Sequence, residues 1–223
     1  MLAAPNEYTI SEPQLQLLQQ AFHHGTADAS RAFSQWTGKP SAITVESVVQ
    51  VPLAEATGIL GGSGEPICFC ALKMTGCLTG QLIFGFDDAS GLALADLLLD
   101  QEVGTSTEWG EMETSAALET TNILGCAFLN SLARVLPTAS EGDGELIPSP
   151  PNFLRDFPES LIEFALMEQA MVSDQVLLAR TQFHINESPV DWNLLFVPDP
   201  ASMIRLQSLL QPEPTGSEGG RQS

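Results

Sequence analysis

The chain has 223 residues, of which 43% are hydrophobic, and its 8 Lys and Arg against 28 Asp and Glu give a formal net charge of −20. The apolar fraction excludes global disorder. A surface this acidic repels the phosphates of nucleic acids and of anionic membranes. Nucleic acid and membrane are therefore poor partners, and a protein partner stays open.

In chain order, hydrophobic periodicity and turn residues predict six elements in the first half of the chain. They are a long helix, a strand, a short helix, two strands joined at Thr75–Gly76 and a final helix, at 14–37, 42–51, 53–60, 67–74, 78–86 and 90–99. The second half repeats this pattern, with a long helix, a weak strand, a helix, two strands and a helix. These lie at 112–136, 145–148, 160–171, 175–185, 190–197 and 201–210.

The two halves also resemble each other in sequence. LIFGFDDAS at 82–90 matches LLFVPDPAS at 194–202, and the long helices align at an offset of 99 residues. Such a match indicates duplication. We therefore predict an α+β fold, an internally duplicated α-β-α-β-β-α unit whose mostly antiparallel sheet is covered by helices. Repeats 12–101 and 111–210 form one domain, 12–210.

Both ends of the chain are polar. Residues 1–11 are predicted to be flexible, and the tail 211–223, rich in Pro, Gly and Ser, is predicted to be disordered. The first residues, MLAAPNEYTISEPQ, contain no basic segment followed by an apolar one, so no signal peptide is predicted. No apolar run approaches the ~20 residues that span a bilayer. We expect a cytoplasmic protein.

A polar triplet occurs on the second long helix. At about 100° per residue, Ser115, Glu119 and Asn122 fall within roughly 60° of one another. The predicted packing side is opposite and consists of Ala117, Leu124, Phe128 and Val135. Geometry alone leaves two interpretations open, an ordinary solvated helix face or a presented site.

The spacing of this triplet resembles a family signature. Ser115, three residues, Glu119, two residues and Asn122 match the motif of the CheC/CheX/FliY phosphatases, in which a proline follows about 22 residues later. Here that proline is displaced to Pro148 or Pro150, and Thr121 stands where the family commonly has Gly. The internal duplication within one chain is most similar to CheC-type proteins.

The resemblance implies an enzyme that hydrolyses the aspartyl-phosphate of a CheY-like response regulator in chemotaxis-type two-component signalling. Asn122 would orient the attacking water, Glu119 would pair with a lysine of the regulator, and Ser115 and Pro148 would support them. No metal of its own is expected, because the regulator holds the Mg²⁺. The alternative is a non-catalytic adaptor that binds a response regulator or a CheD-type deamidase.

The remaining polar and sulfur residues indicate no second site. In the first half, Gln16, Gln20 and His23 occupy the positions equivalent to the triplet, which predicts a degenerate site. His23 and His24 are adjacent, so on a helix they point about 100° apart and do not converge on an ion. Cys68 and Cys70 share one face of a strand and are interpreted as small core residues.

Overall fold

The computed structural model of the protein describes residues 9–60, 64–136, 145–160, 167, 175–185 and 188–210. The helices are α1 Glu12–Thr37, α2 Leu53–Leu60, α3 Asp88–Leu98, α4 Glu111–Val135 and α5 Pro200–Leu209. The strands are β1 Ser41–Pro52, β2 Ile67–Gly76, β3 Gly80–Phe86, β4 Leu146–Pro148, β5 Asn152–Asp156, β6 Gln175–Ile185 and β7 Ser188–Pro198. The predicted helix 160–171 lies almost entirely outside the described residues, as do most of the N-terminal segment and the tail.

One antiparallel sheet contains all seven described strands, in the order β1-β6-β7-β3-β2-β4, with β5 also paired to β2. The two strands β6 and β7 from the second half of the chain thus lie between β1 and β3 from the first half. The predicted α+β class, a mostly antiparallel sheet with helices, is confirmed. The duplication stays a prediction.

Helices α1 and α4 pack against each other on one face of the sheet. The hydroxyl of Ser131 donates to the carbonyl oxygen of Ala21 at 2.6 Å, and the rings of Phe22 and Phe128 meet edge to face at 5.5 Å. Ser11 is the N-cap of helix α1, and its backbone N–H donates to Gln14 Oε1 at 2.9 Å. The helix is terminated by Gly38, which has the left-handed backbone conformation that glycine adopts readily. The long helix carrying the polar triplet therefore has a rigid neighbour.

The strand β2 alternates between the two apolar layers, as a buried strand must. Cys68, Cys70, Leu72 and Met74 face the core beneath the helices α1 and α4, whereas Ile67 and Phe69 face a smaller core that includes Ala56 of α2. Both cysteines are free and fully buried, so their interpretation as core residues is confirmed. Burial raises the pKa of the Cys70 thiol to about 12.

Two details of the sheet differ from the prediction. The strand β5 was not predicted at all. The turn predicted at Thr75–Gly76 is wrong, because β2 continues through Gly76, and the pairing with β3 begins at Met74 and Gly80. Gly76 instead pairs with Leu146 of β4, at φ 120°, where a Cβ would collide with the carbonyl oxygen of Glu145. This glycine permits the close approach of β4.

Candidate functional site

The polar triplet lies on the outer face of α4. Ser115 and Glu119 are exposed and Asn122 is half-buried. Ala117, Leu124 and Phe128 are buried on the opposite side, as predicted, but Val135 is 36% exposed because it lies at the end of the helix. The buried side of α4 packs against the core, so the three polar side chains project from the opposite side of a helix that the core holds.

The segment between β4 and β5 forms the wall opposite the triplet. A groove of about 500 Å³ is lined by Ser115, Leu118, Glu119, Asn122 and residues 148–151. We call it the α4 groove. The structure thus brings all four predicted site residues, including Pro148, to one groove. The displaced proline of the sequence lies beside the triplet because sheet pairing places it there.

Pairing with β2 holds this wall in place. Met74 pairs with Pro148, the backbone N–H of Ser149 donates to the carbonyl oxygen of Lys73 at 2.8 Å, and the backbone N–H of Lys73 donates to Ser149 Oγ at 2.9 Å. Pro150, the alternative to Pro148 in the sequence, also lines the groove, whereas three further lining residues, Leu118, Ser149 and Pro151, were not predicted. The run PSPP was a usable signal, since consecutive prolines restrict the backbone and favour an extended, fixed segment.

A single carboxylate connects the wall to the start of the site helix. Asp88, at the beginning of α3, accepts from Arg155 Nε and Nη2 at 2.9 and 2.6 Å, from Trp109 Nε1 at 2.8 Å and from Cys68 Sγ at 3.3 Å. Arg155 lies on β5, and Trp109 directly precedes Gly110, the N-cap of α4. Asp88 therefore links β5 to the residue before the N-cap of α4, and the hydrogen bond from Arg155 lowers the pKa of Asp88.

We expect Asp88→Asn to lower the free energy of unfolding at pH 7 by about 1 kcal/mol, after allowing for solvent screening of a side chain that is 35% exposed. Because the pKa of folded Asp88 is lower than its ordinary value of 3.8, this stabilisation is complete above pH 3.8 and is lost as the pH falls through the lowered value. Urea unfolding at pH 7 and near pH 3 checks this.

The control variant is Asp100→Asn, which removes a carboxylate that is 91% exposed and paired with Lys39. It is expected to change stability much less than Asp88→Asn. Equal stability of Asp88→Asn and the parent protein at pH 7 would show that Asp88 does not hold these segments together.

A second groove lies on the other side of Asn122, between α1 and α4. It has a volume of about 500 Å³, and Asn122 and Cys126 line it. The Cys126 sulfur is 3.9 Å from Asn122 Oδ1. Burial, and next the negative charge of Glu119, raise the pKa of this thiol, so it is protonated at neutral pH and is a poor nucleophile.

Other predicted features stay apart from both grooves. Gln16, Gln20 and His23 are exposed on α1, and none of them lines either groove. Within the described part of the chain, no group of three or more His, Cys, Asp or Glu side chains could hold a metal ion. No helix in that part is long and apolar enough to cross a membrane.

Comparison with known proteins confirms the resemblance to the CheC/CheX/FliY proteins. The chain is similar to the CheY-P phosphatase CheC of Bacillus subtilis (strain 168), with 23% identity over 88% of this chain and 93% of CheC. No protein-family model matches the chain.

Solved structures share the fold. FliY of Thermotoga maritima superposes with a TM-score of 0.71 at 16% identity, covering 91% of this chain and 98% of FliY. A chain of the FliG–FliM complex from H. pylori superposes with a TM-score of 0.68 at 13% identity, covering 88% of this chain and all of that one. At these identities the likeness concerns the fold alone.

Proposed function

We propose that the protein is a cytoplasmic phosphatase that hydrolyses the aspartyl-phosphate of a CheY-like response regulator. The observation that carries the proposal is the α4 groove, in which the exposed Glu119 and the half-buried Asn122 face the Pro148–Pro151 wall from one rigid helix. The similarity to the phosphatase CheC along most of the chain supports the same reaction.

The chemistry requires little more than positioning. An aspartyl-phosphate is an acyl phosphate whose charge the regulator's own Mg²⁺ and lysine already stabilise, so hydrolysis needs a water in line with the scissile bond. The Asn122 amide can both accept from and donate to that water. The water oxygen then bonds to phosphorus as the bond to the aspartyl oxygen breaks, which releases inorganic phosphate and the regulator's carboxylate.

Glu119 would orient the complex rather than react. It lies one helical turn before Asn122, and its exposed carboxylate can accept from the ammonium group of the regulator's lysine. Ser115, one further turn towards the start of α4, lines the same groove and supports the contact. Because these residues share one helix, the pairing of Glu119 sets the position of Asn122.

The test is phosphate release from CheY-like regulators phosphorylated in Mg²⁺, measured with and without the protein. We expect faster decay in the presence of the protein and no requirement for a metal beyond that of the regulator. Decay at the intrinsic rate for every regulator that binds would contradict the proposal.

For Glu119→Gln we expect KM to rise about fivefold with a smaller change in kcat, because the variant weakens docking by one exposed charge pair. Steady-state phosphate release at varied regulator concentration checks this. The matched control is Glu46→Gln, an exposed residue on β1 outside both grooves, which is expected to match the parent. An unchanged KM for Glu119→Gln would contradict the proposed role of Glu119 in docking the regulator.

The second candidate function is a non-catalytic adaptor that binds a response regulator or a CheD-type deamidase. The fold shared with FliM, solved in a complex with FliG, favours this candidate, since it shows the same scaffold in a protein assembly. Saturable binding of a phosphorylated regulator with no change in its decay would favour the adaptor over the phosphatase.

A further inference from the structure

The Pro148–Pro151 wall of the α4 groove contains an irregularity of the sheet. The pairing of β4 with β2 ends at Pro148, and the pairing of β5 with β2 begins at Asn152. Residues 149–151 therefore lie opposite only two residues of β2, 72 and 73. An extra residue in one strand of an antiparallel pair is a β-bulge, and the bulged strand bends there. We call residues 149–151 the edge bulge.

Ser149 attaches the edge bulge to β2. Its backbone N–H donates to the carbonyl oxygen of Lys73 at 2.8 Å, and its Oγ accepts from the backbone N–H of Lys73 at 2.9 Å. In a regular antiparallel pair the second of these bonds would go to a carbonyl oxygen, so the hydroxyl takes the place of the backbone acceptor. The same hydroxyl donates to the carbonyl oxygen of Pro150 at 3.0 Å. Because Pro150 and Pro151 have no N–H to donate to β2, the attachment depends on the Ser149 side chain.

The edge bulge lies beside the site helix because β2 packs against that helix. With Ser149 opposite Lys73, the two prolines of the bulge lie opposite Leu72, which is buried. Leu72 packs closely on α4, since a Cβ added to Gly125 would collide with it. Gly125 follows Asn122 on α4 by less than one helical turn. The Ser149 hydroxyl therefore holds both prolines near Asn122, and all of these residues except the buried pair line the α4 groove.

We propose that Ser149 is a positioning residue for the phosphatase reaction, whose hydroxyl fixes the wall against which a regulator docks beside Asn122. This inference rests on the proposed function. A regulator that reaches Glu119 and Asn122 through the α4 groove lies between α4 and the edge bulge, because these form the two sides of the groove. A wall that is already ordered lowers the entropy cost of docking, whereas a loose wall must be ordered when the regulator binds. Ser149 therefore acts on KM, and Asn122 acts on kcat.

The experiment measures steady-state phosphate release from a CheY-like regulator phosphorylated in Mg²⁺, with the parent protein, Ser149→Ala and Ser149→Thr. We expect Ser149→Ala to raise KM about fivefold and to leave kcat within a factor of about two, because the ordering cost falls on docking. Ser149→Thr keeps the hydroxyl and is expected to recover most of the parent KM. The hydrogen bond from Lys73 is exposed, so water can replace the hydroxyl and Ser149→Ala is expected to fold.

The matched control is Thr75→Val, which removes a hydroxyl from the same edge of the sheet. Thr75 Oγ1 donates to the carbonyl oxygen of Ile147 at 3.3 Å, and neither residue lines the α4 groove. We expect urea unfolding to show similar small losses of stability in Thr75→Val and Ser149→Ala, whereas Thr75→Val keeps the parent KM. Equal increases of KM in the two variants would reduce the effect to a looser sheet edge and overturn the proposal, as would a parent-like KM for Ser149→Ala.

Failure of this inference is distinguishable from failure of the proposed function. If the parent accelerates phosphate release while Ser149→Ala keeps the parent KM, the phosphatase stands and the positioning role of Ser149 does not. If the parent accelerates release from no regulator, both proposals fail. A rise of KM in Ser149→Ala that Ser149→Thr does not reverse would also contradict the role of the hydroxyl, because threonine retains the same donor and acceptor.

Discussion

Asn122→Ala is expected to lower kcat for phosphate release by roughly 10²-fold or more while leaving regulator binding within a factor of two. The amide of Asn122 is proposed to hold the attacking water in line, and alanine leaves that water unpositioned. Because Asn122 is half-buried on the outer face of α4, its replacement removes no core contact. Single-turnover decay of the phosphorylated regulator, with Kd measured in parallel, checks both parts.

Two companion variants sharpen this result. Asn122→Asp keeps the shape of the side chain but loses the N–H donors and adds a negative charge near the phosphoryl group, so we expect a loss at least as large. Gln20→Ala removes an exposed amide from the other long helix, outside both grooves, and is expected to match the parent. A kcat for Asn122→Ala equal to that of the parent would show that Asn122 does not position the attacking water.

Phe128→Ala is expected to lower the free energy of unfolding by about 3–5 kcal/mol. Phe128 is 1% exposed, contacts the ring of Phe22 edge to face at 5.5 Å and that of Phe84 at 6.4 Å, and so joins α1, α4 and the sheet. Alanine loses the buried area and the two ring contacts and leaves a cavity in the main core. Urea unfolding followed by circular dichroism measures the change.

Phe157→Ala is the matched control, since Phe157 is 49% exposed and follows β5 at the edge of the sheet. We expect its effect to stay within about 0.5 kcal/mol. A loss below about 1 kcal/mol in Phe128→Ala would mean that the surrounding helices close over the missing ring, and that α4 is held less rigidly than its contacts indicate.

Most of the fold could be predicted from periodicity because each element carries its own pattern. Both long helices and α2 lie within two residues of their predicted ends, and β6 coincides with its prediction. The strand β5, NFLRD, has neither strict alternation nor β-branched residues, so nothing local predicts it. It forms because residues 67–71 of β2 offer an edge with which it pairs.

The site could be predicted in part. The i, i+4, i+7 spacing placed Ser115, Glu119 and Asn122 on one face of a helix, since helical geometry is local. The distance in sequence from Asn122 to the proline did not predict that Pro148 lines the same groove as the triplet, because sheet register decides where Pro148 lies. Asp28 binds both Arg31 and Arg134, and Arg134 is 106 positions away in the chain. No short sequence motif predicts this cluster.

The strand order has a consequence for how the chain acquires its structure during synthesis. Of the described strands, β1 pairs only with β6, and Ser41 pairs with Ile185. The ribosome therefore synthesises β1 long before its partner strand. Until then one whole edge of β1 has no partner, and the same holds for β3, which awaits β7. Such non-local pairing slows folding and exposes strand edges to aggregation, which makes the nascent first half a natural client for chaperones.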